Sequence, residues 1–287
     1  MISHRILSKR LFSSIEKRNR FSKLRLFSYS FIGFTTLTFS LYLTIPYSKF
    51  DRNLKEELDR YQYSKFKIKD IQNISDDAKL FTIDLPSNKL TDQSINVGYI
   101  QHLYIKQPHI QIERPFTPLE VIKADSKDIK LLIKQYDRSE MTNYLSNLTI
   151  GDDIELRGPG LTLNLGDIKD KSNLVFILGG TGISIFKQSI DYLLKDQTIK
   201  SIKLIYSFNR NCYFKDDLQK LEKQSDKLTV NFNDTSITSR LNKINLFIKL
   251  GLNYFSSDNL YIICGNKLFN RTITNNLNVN KRKIRIL

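Results

Sequence analysis

From Tyr63 onward the chain sets apolar and polar residues in short alternating runs. SKFKIKDI (64–71), AKLFTIDL (78–85), INVGYIQHLYI (95–105), PLEVI (118–122), DIKLLIKQY (128–136) and DDIELRG (152–158) read as strands buried on one face. Within 78–85, for example, Leu80, Thr82 and Asp84 alternate with Phe81, Ile83 and Leu85. Short strands separated by turn residues predict an antiparallel β-barrel over 63–170, interrupted by one helical stretch, SEMTNYLSNL (139–148).

The period changes at about 171. Leu174-Val175-Phe176-Ile177-Leu178 is continuously apolar, as in a parallel strand covered on both faces. It runs into Gly179-Gly180-Thr181-Gly182-Ile183-Ser184 and then an amphipathic helix, IFKQSIDYLLKD. IKLIYSF (202–208), a helix DDLQKLEKQ (216–224), KLTVNF (227–232) and Leu260–Ile263 follow. Alternating strands and helices predict a doubly wound parallel α/β sheet over 171–287.

Ahead of both lies a different kind of sequence. Residues 26–45 carry no charge, and about 20 such residues cross the hydrocarbon core of a bilayer. Lys and Arg on one side and Pro46 on the other favour a transmembrane helix over 26–46; a buried soluble helix is the alternative. Residues 1–25 are rich in Arg and Ser, nearly free of acid, and set Ile6, Leu7, Leu11, Phe12 and Ile15 among the charges. That is the composition of a mitochondrial presequence; a cytosolic basic flank of the span is the other reading. Behind a presequence, the positive-inside rule places 1–25 in the matrix. The rest of this single-pass inner-membrane protein then faces the intermembrane space. Residues 47–62 read as a charged linker.

Charge and composition narrow the function. Of a net +16 over 287 residues, 1–25 contribute +7 and Lys281–Arg285 contribute +4. The +5 left between them is ordinary for a domain, so the charge does not point to nucleic acid. Cys212 and Cys264 cannot build a disulfide framework, and His4, His102 and His109 are too scattered for a metal site.

The motifs are more specific. Arg114-Pro115-Phe116-Thr117-Pro118-Leu119 resembles the flavin motif of the ferredoxin-NADP reductase superfamily, in its cytochrome-b5 reductase branch. Three further segments resemble family elements in the expected order: Leu132-Ile133-Lys134-Gln135-Tyr136, Ser139-Glu140-Met141-Thr142-Asn143-Tyr144-Leu145, and Gly151 to Pro159. The resemblance implies FAD, with Arg114 on phosphate, Phe116 on the isoalloxazine face and Thr117 beside its reactive edge. Pro115, Lys134, Met141 and Thr142 complete that half, the last two at a helix start that receives the pyrophosphate. Ser139 stands where the family has glycine.

Gly179-Gly180-Thr181-Gly182-Ile183-Ser184 resembles the family's nicotinamide loop, and Ser207-Phe208-Asn209-Arg210 occupies its adenosine side. Cys264-Gly265 resembles the start of the Cys-Gly-Pro-Pro-x-Met element, whose cysteine lies near the nicotinamide. Cys264 is alternatively a small buried hydrophobe. Asn266, Lys267, Phe269 and Ile185 depart from the family pattern. The implied activity is an NAD(P)H reductase passing electrons to a haem or haem-protein acceptor. With a presequence and a span, the chain also resembles the fungal mitochondrial flavoproteins that support haem attachment to cytochrome c. Two rivals stay open: a cytochrome-b5 reductase of the outer mitochondrial or endoplasmic reticulum membrane, and a non-catalytic flavin-binding assembly factor. Sequons begin at Asn73, Asn147, Asn233 and Asn270, and glycosylation of any would exclude mitochondria.

Overall fold

A computed structural model describes residues 58–85, 98–168, 171–251, 258–277 and 279–287. The presequence, the span at 26–46 and most of the linker lie outside these residues. Among the described residues no helix is long and apolar enough to cross a membrane. They belong to one compact unit built on two sheets.

The first sheet contains β1 (Ser64–Asn73), β2 (Ala78–Asp84), β3 (Tyr99–Gln107), β4 (Ile112–Phe116), β5 (Asp128–Lys134) and β6 (Asp153–Asn164), in the order β4-β3-β6-β1-β2-β5. Every pairing is antiparallel. Register sets Phe81 opposite Leu131 and Ile83 opposite Ile129, so the alternating apolar residues of neighbouring strands share one core. The two edges of the sheet meet where Pro118 bridges Leu131 and the Leu119 N–H donates to the Lys130 carbonyl at 3.0 Å. The result is a half-barrel. A short helix, α1 (Glu140–Ser146), follows β5 and buries Met141 and Leu145 in the same core.

Three expectations change here. PLEVI forms no strand beyond the bridge at Pro118 and the Leu119–Lys130 bond, because side-chain amides take the Pro118 carbonyl and the Ile122 N–H. Its place is taken by β4, hidden in the sequence by Glu113, Arg114 and Pro115; proline is tolerated there because β4 is an edge strand. β6 continues past Gly158-Pro159, where shifts in the β3–β6 register absorb the irregularity. A side chain at Gly158 would come within 2.6 Å of Leu103.

The second sheet contains β7 (Asn173–Gly179), β8 (Ser201–Phe208), β9 (Leu228–Asp234), β10 (Asn259–Cys264) and β11 (Ile284–Ile286), in the order β11-β10-β7-β8-β9. All four pairings are parallel. The helices are α2 (Ile183–Lys195), α3 (Lys215–Gln224), α4 (Lys243–Leu250) and α5 (Lys267–Leu277). The continuous apolar run of β7 now has its cause: Leu174, Phe176 and Leu178 enter one core, while Val175 and Ile177 enter another on the opposite face. The basic tail is not a free end. Lys281–Lys283 make a 3-10 turn, and β11 adds an edge strand to β10.

The seam between the sheets is itself core. Ile100, Leu119, Leu132 and Leu163 of the half-barrel pack in one cluster with Leu174, Phe176, Phe186 and Ile190. Phe176 and Phe186 meet edge to face, ring centres 5.3 Å apart. The cleft above this seam therefore has a fixed floor.

Candidate functional site

Strand order decides where a ligand can sit. The chain leaves β7 toward β8 on one side and returns as β10 on the other, so the sheet has its switch point between β7 and β10. Open α/β sheets bind ligands outside the carboxyl ends of strands at such a point. Those ends are Gly179 and Cys264, and Cys264 lies in register with Leu178. A cleft of about 1110 Å³ opens there and extends onto the half-barrel. Pockets for a single small ligand run from about 300 to 1,000 Å³, so this one lies just above the upper end of that range.

The half-barrel wall carries Arg114, Pro115 and Phe116 of β4, followed by Thr117. Lys134 at the end of β5, and Met141 and Thr142 of α1, continue it. The opposite wall carries Gly179, Gly180, Thr181, Gly182 and Ser184, with Cys264 and Gly265 from the end of β10. The geometry thus brings the sequence-derived residues to one cleft, with one exception. Ile183 is fully buried and packs in the seam core rather than facing the cleft.

The glycines have distinct reasons to be there. Gly180 has φ +55, a backbone conformation that side chains resist. Gly182 lies against β10: a Cβ there would sit 2.6 Å from the Cys264 carbonyl oxygen and 3.3 Å from its Sγ. The Phe269 ring lies over Gly179 and Gly265, where added Cβ atoms would meet it at 3.1 and 2.5 Å.

The departures from the family pattern also have local explanations. Ser139 caps α1, its hydroxyl accepting the Thr142 N–H at 3.3 Å, so one helix-start donor is already occupied. Asn266 caps α5 by accepting the Phe269 N–H at 2.8 Å, replacing a proline start by a side-chain cap. Ile185 is buried in the seam core.

Among the described residues four cations line the cleft, Arg114, Lys134, Arg240 and Lys267, and no carboxylate does. The Lys134 ammonium is held by Asp77 at 2.6 Å. Burial pushes the Asp77 carboxyl up, but hydrogen bonds from Lys134, Ser75 and Asn211 outweigh it and leave the group at about 2. Tyr213 also donates to Asp77, at 3.0 Å, which ties this turn of the half-barrel to the loop after β8. Burial pushes the Cys264 thiol up to about 12, so it stays protonated at neutral pH. Sequence reading missed Tyr136 as a lining side chain, and Arg240, Lys267 and Phe269 as cleft residues. Arg240 comes from a loop that neither period nor motif marks, whereas Tyr136 ends the quoted Lys134 segment and Lys267 and Phe269 stand at departures from the Cys-Gly element, where the motif gave no lining role.

Comparison with known proteins agrees with this arrangement. Residues 65–164 match the oxidoreductase FAD-binding domain family. An uncharacterized FAD-binding protein of Schizosaccharomyces pombe is 29% identical over 215 residues, 74% of each chain. NADH-cytochrome b5 reductase 1 of Dictyostelium discoideum is 27% identical over 79% of this chain and 81% of its own. The CS-b5R domains of human Ncb5or, solved in an NAD+ form, superpose with a TM-score of 0.66 at 25% identity, covering 78% of this chain and 69% of theirs. The fold is shared with the ferredoxin-NADP reductases, and the FAD-binding domain together with the NADH-cytochrome b5 reductase relatives indicates an FAD-dependent NAD(P)H oxidoreductase. Its sequence relatives include NADH-cytochrome b5 reductases.

Proposed function

We propose that the chain is a membrane-anchored mitochondrial reductase that draws reducing equivalents from NAD(P)H and delivers them to a haem protein. The haem attachment reaction of cytochrome c is the favoured setting. What carries the reading is the cationic cleft that joins the Arg114–Thr117 wall to the switch point at Gly179 and Cys264.

The residues fit FAD on the half-barrel wall. Arg114 is exposed, with a guanidinium suited to phosphate, and Phe116 packs on the barrel core with its ring on the cleft. Thr117 offers a hydroxyl beside that ring. When bound, FAD takes up the two electrons of a hydride and releases them singly. On the other wall, Gly180 and Gly182 let the backbone approach a coenzyme pyrophosphate at the start of α2. Cys264 and Gly265 then border the nicotinamide end, and the apolar floor excludes water. Arg240 and Lys267 add positive potential for the coenzyme phosphates.

The mitochondrial address and the anchor rest on residues 1–46 of the sequence. A haem-protein acceptor is supported by the naming of cytochrome b5 reductase relatives. One observation favours the non-catalytic alternative: the Phe269 ring packs against Gly179 and Gly265, narrowing the nicotinamide side. The test is direct. The full chain, purified in detergent, should be yellow and should bleach when NADH or NADPH is added without oxygen. A yellow protein that neither coenzyme bleaches would sink the reductase reading and leave the assembly factor. Protease protection in isolated mitochondria tests the address; digestion in intact organelles would overturn an intermembrane-space location.

A further inference from the structure

β4 pairs with β3 no further than Phe116 opposite Leu103. Beyond that pair the chain departs through Thr117 and Pro118, and among the described residues no strand pairs with β3 on that side back to Gln101. A side chain from the other sheet's helix takes the strand's place. On α2, Gln188 accepts the Gln101 N–H with Oε1 at 2.7 Å and donates from Nε2 to the Gln101 carbonyl at 3.1 Å. Nε2 also donates to the Pro118 carbonyl at 3.0 Å. The side chain of Gln101 holds the far end of the same segment: Oε1 accepts the Ile122 N–H at 2.7 Å, and Nε2 donates to the Ile122 carbonyl at 3.3 Å. Gln101 and Gln188 are 0% and 4% exposed.

Two buried amides thus clasp residues 118–122 at both ends. That segment begins directly after Phe116 and Thr117, and Gln188 lies six residues after Gly182 in sequence. The two walls of the cleft are therefore joined by directional bonds as well as by apolar packing. Apolar contacts tolerate sliding, whereas an amide that must meet three backbone groups fixes position and orientation together.

We propose that Gln188 and Gln101 are positioning residues that set the separation between the Gly179–Gly182 turn and the flavin strand. Their clasp governs the rate of hydride delivery and not the affinity for flavin. The inference rests on the reading of the cleft as an FAD and NAD(P)H site. Displacements of about 1 Å between reacting groups can cost roughly 100-fold in rate.

The test uses the full chain with FAD. Gln188→Met keeps length and removes every amide contact; Gln101→Met keeps the backbone bonds to Gln188 and releases Ile122. Four quantities are measured: bound FAD per chain, flavin reduction by dithionite, the limiting rate of anaerobic reduction at saturating NADH or NADPH, and amide exchange of 117–122. For Gln188→Met, FAD content and dithionite reduction should stay within about twofold of wild type. The limiting rate should fall by about 10- to 100-fold, and exchange over 117–122 should accelerate. Gln101→Met should show a smaller loss, about 3- to 10-fold, and carries the test if Gln188→Met does not fold. Wild-type limiting rates in the folded variants overturn the inference. So does a loss of rate matched by an equal loss of FAD, the mark of a purely structural role. A wild-type chain that takes up FAD and is reduced by dithionite but by neither coenzyme would instead refute the underlying reading, and this inference with it.

Discussion

Gly182→Ala is the sharpest perturbation the cleft offers. The new methyl would meet the Cys264 carbonyl oxygen at 2.6 Å and its carbonyl carbon at 3.0 Å, where ordinary contact begins at 3.4 Å. The end of β10 and the start of α2 must therefore part by up to about 0.8 Å, the difference between the two oxygen distances. Neither side yields cheaply: Cys264 lies in register on β7, and Ile183 and Phe186 anchor α2 in the seam core. Overpacking of this kind costs about 1–3 kcal/mol in stability. A shift approaching 1 Å at a hydride-transfer site costs up to about 100-fold in rate, which corresponds to about 2.7 kcal/mol in the barrier. The half-barrel wall lies on the other sheet, so FAD content should hold while anaerobic reduction by NADH or NADPH slows by about 10- to 100-fold. Stopped-flow absorbance follows the second quantity and the bound flavin spectrum the first. Reduction at the wild-type rate in a fully folded Gly182→Ala protein would refute the reasoning that this contact is rigid and borders the coenzyme.

Other outcomes follow from the same geometry. Phe116→Ala and Arg114→Ala should each lower FAD retained through gel filtration, Phe116→Ala by loss of a ring wall and Arg114→Ala by loss of a phosphate partner; unchanged flavin content counts against those roles. Asp77 is held below its ordinary value, so its contribution is present above about pH 3.9 and is lost as pH falls through about 2. Asp77→Asn should cost about 1–2 kcal/mol at pH 7, allowing for solvent screening, and the difference from wild type in denaturant unfolding should shrink toward pH 2. Phe186→Ala, fully buried at the seam, should destabilise by about 3–5 kcal/mol in the same assay. Burial pushes the Cys212 and Cys264 thiols up to about 12. Iodoacetamide at pH 8 should therefore alkylate the folded chain at least about tenfold more slowly than the unfolded one, and equal rates would contradict it.

How far the sequence reveals this structure depends on what each residue answers to. β1, β2, β5 and β7 are legible because burial on one face or two writes itself into a period. The glycine turn is legible because Gly180 and Gly182 meet backbone demands that no other residue meets at that spot. β4 and β11 are hidden by charge and proline, which edge strands accept and which blunt unwanted pairing. α4 is hidden because Ile244, Phe247 and Ile248 are exposed while Leu246 and Leu250 are buried, leaving no clean apolar stripe. The Asn266 cap could have announced α5, since asparagine before a helical run is a start signal. The Gln101–Gln188 clasp could not have been foreseen: its partners are 87 residues apart, and a glutamine in an apolar run carries no mark of what it will meet.

The apolar floor beneath the cleft has a consequence for how the molecule can fold and change. Because Ile100, Leu119 and Leu132 share one cluster with Phe176 and Phe186, a cut between the sheets would strip both halves of the same interior. Neither half is then a free-standing module, and melting should be a single cooperative transition over the described residues rather than two. Substrate preference in such a protein can drift at the loops around the rim, whereas exchanging one half for a foreign counterpart would require rebuilding the surface on which it stands.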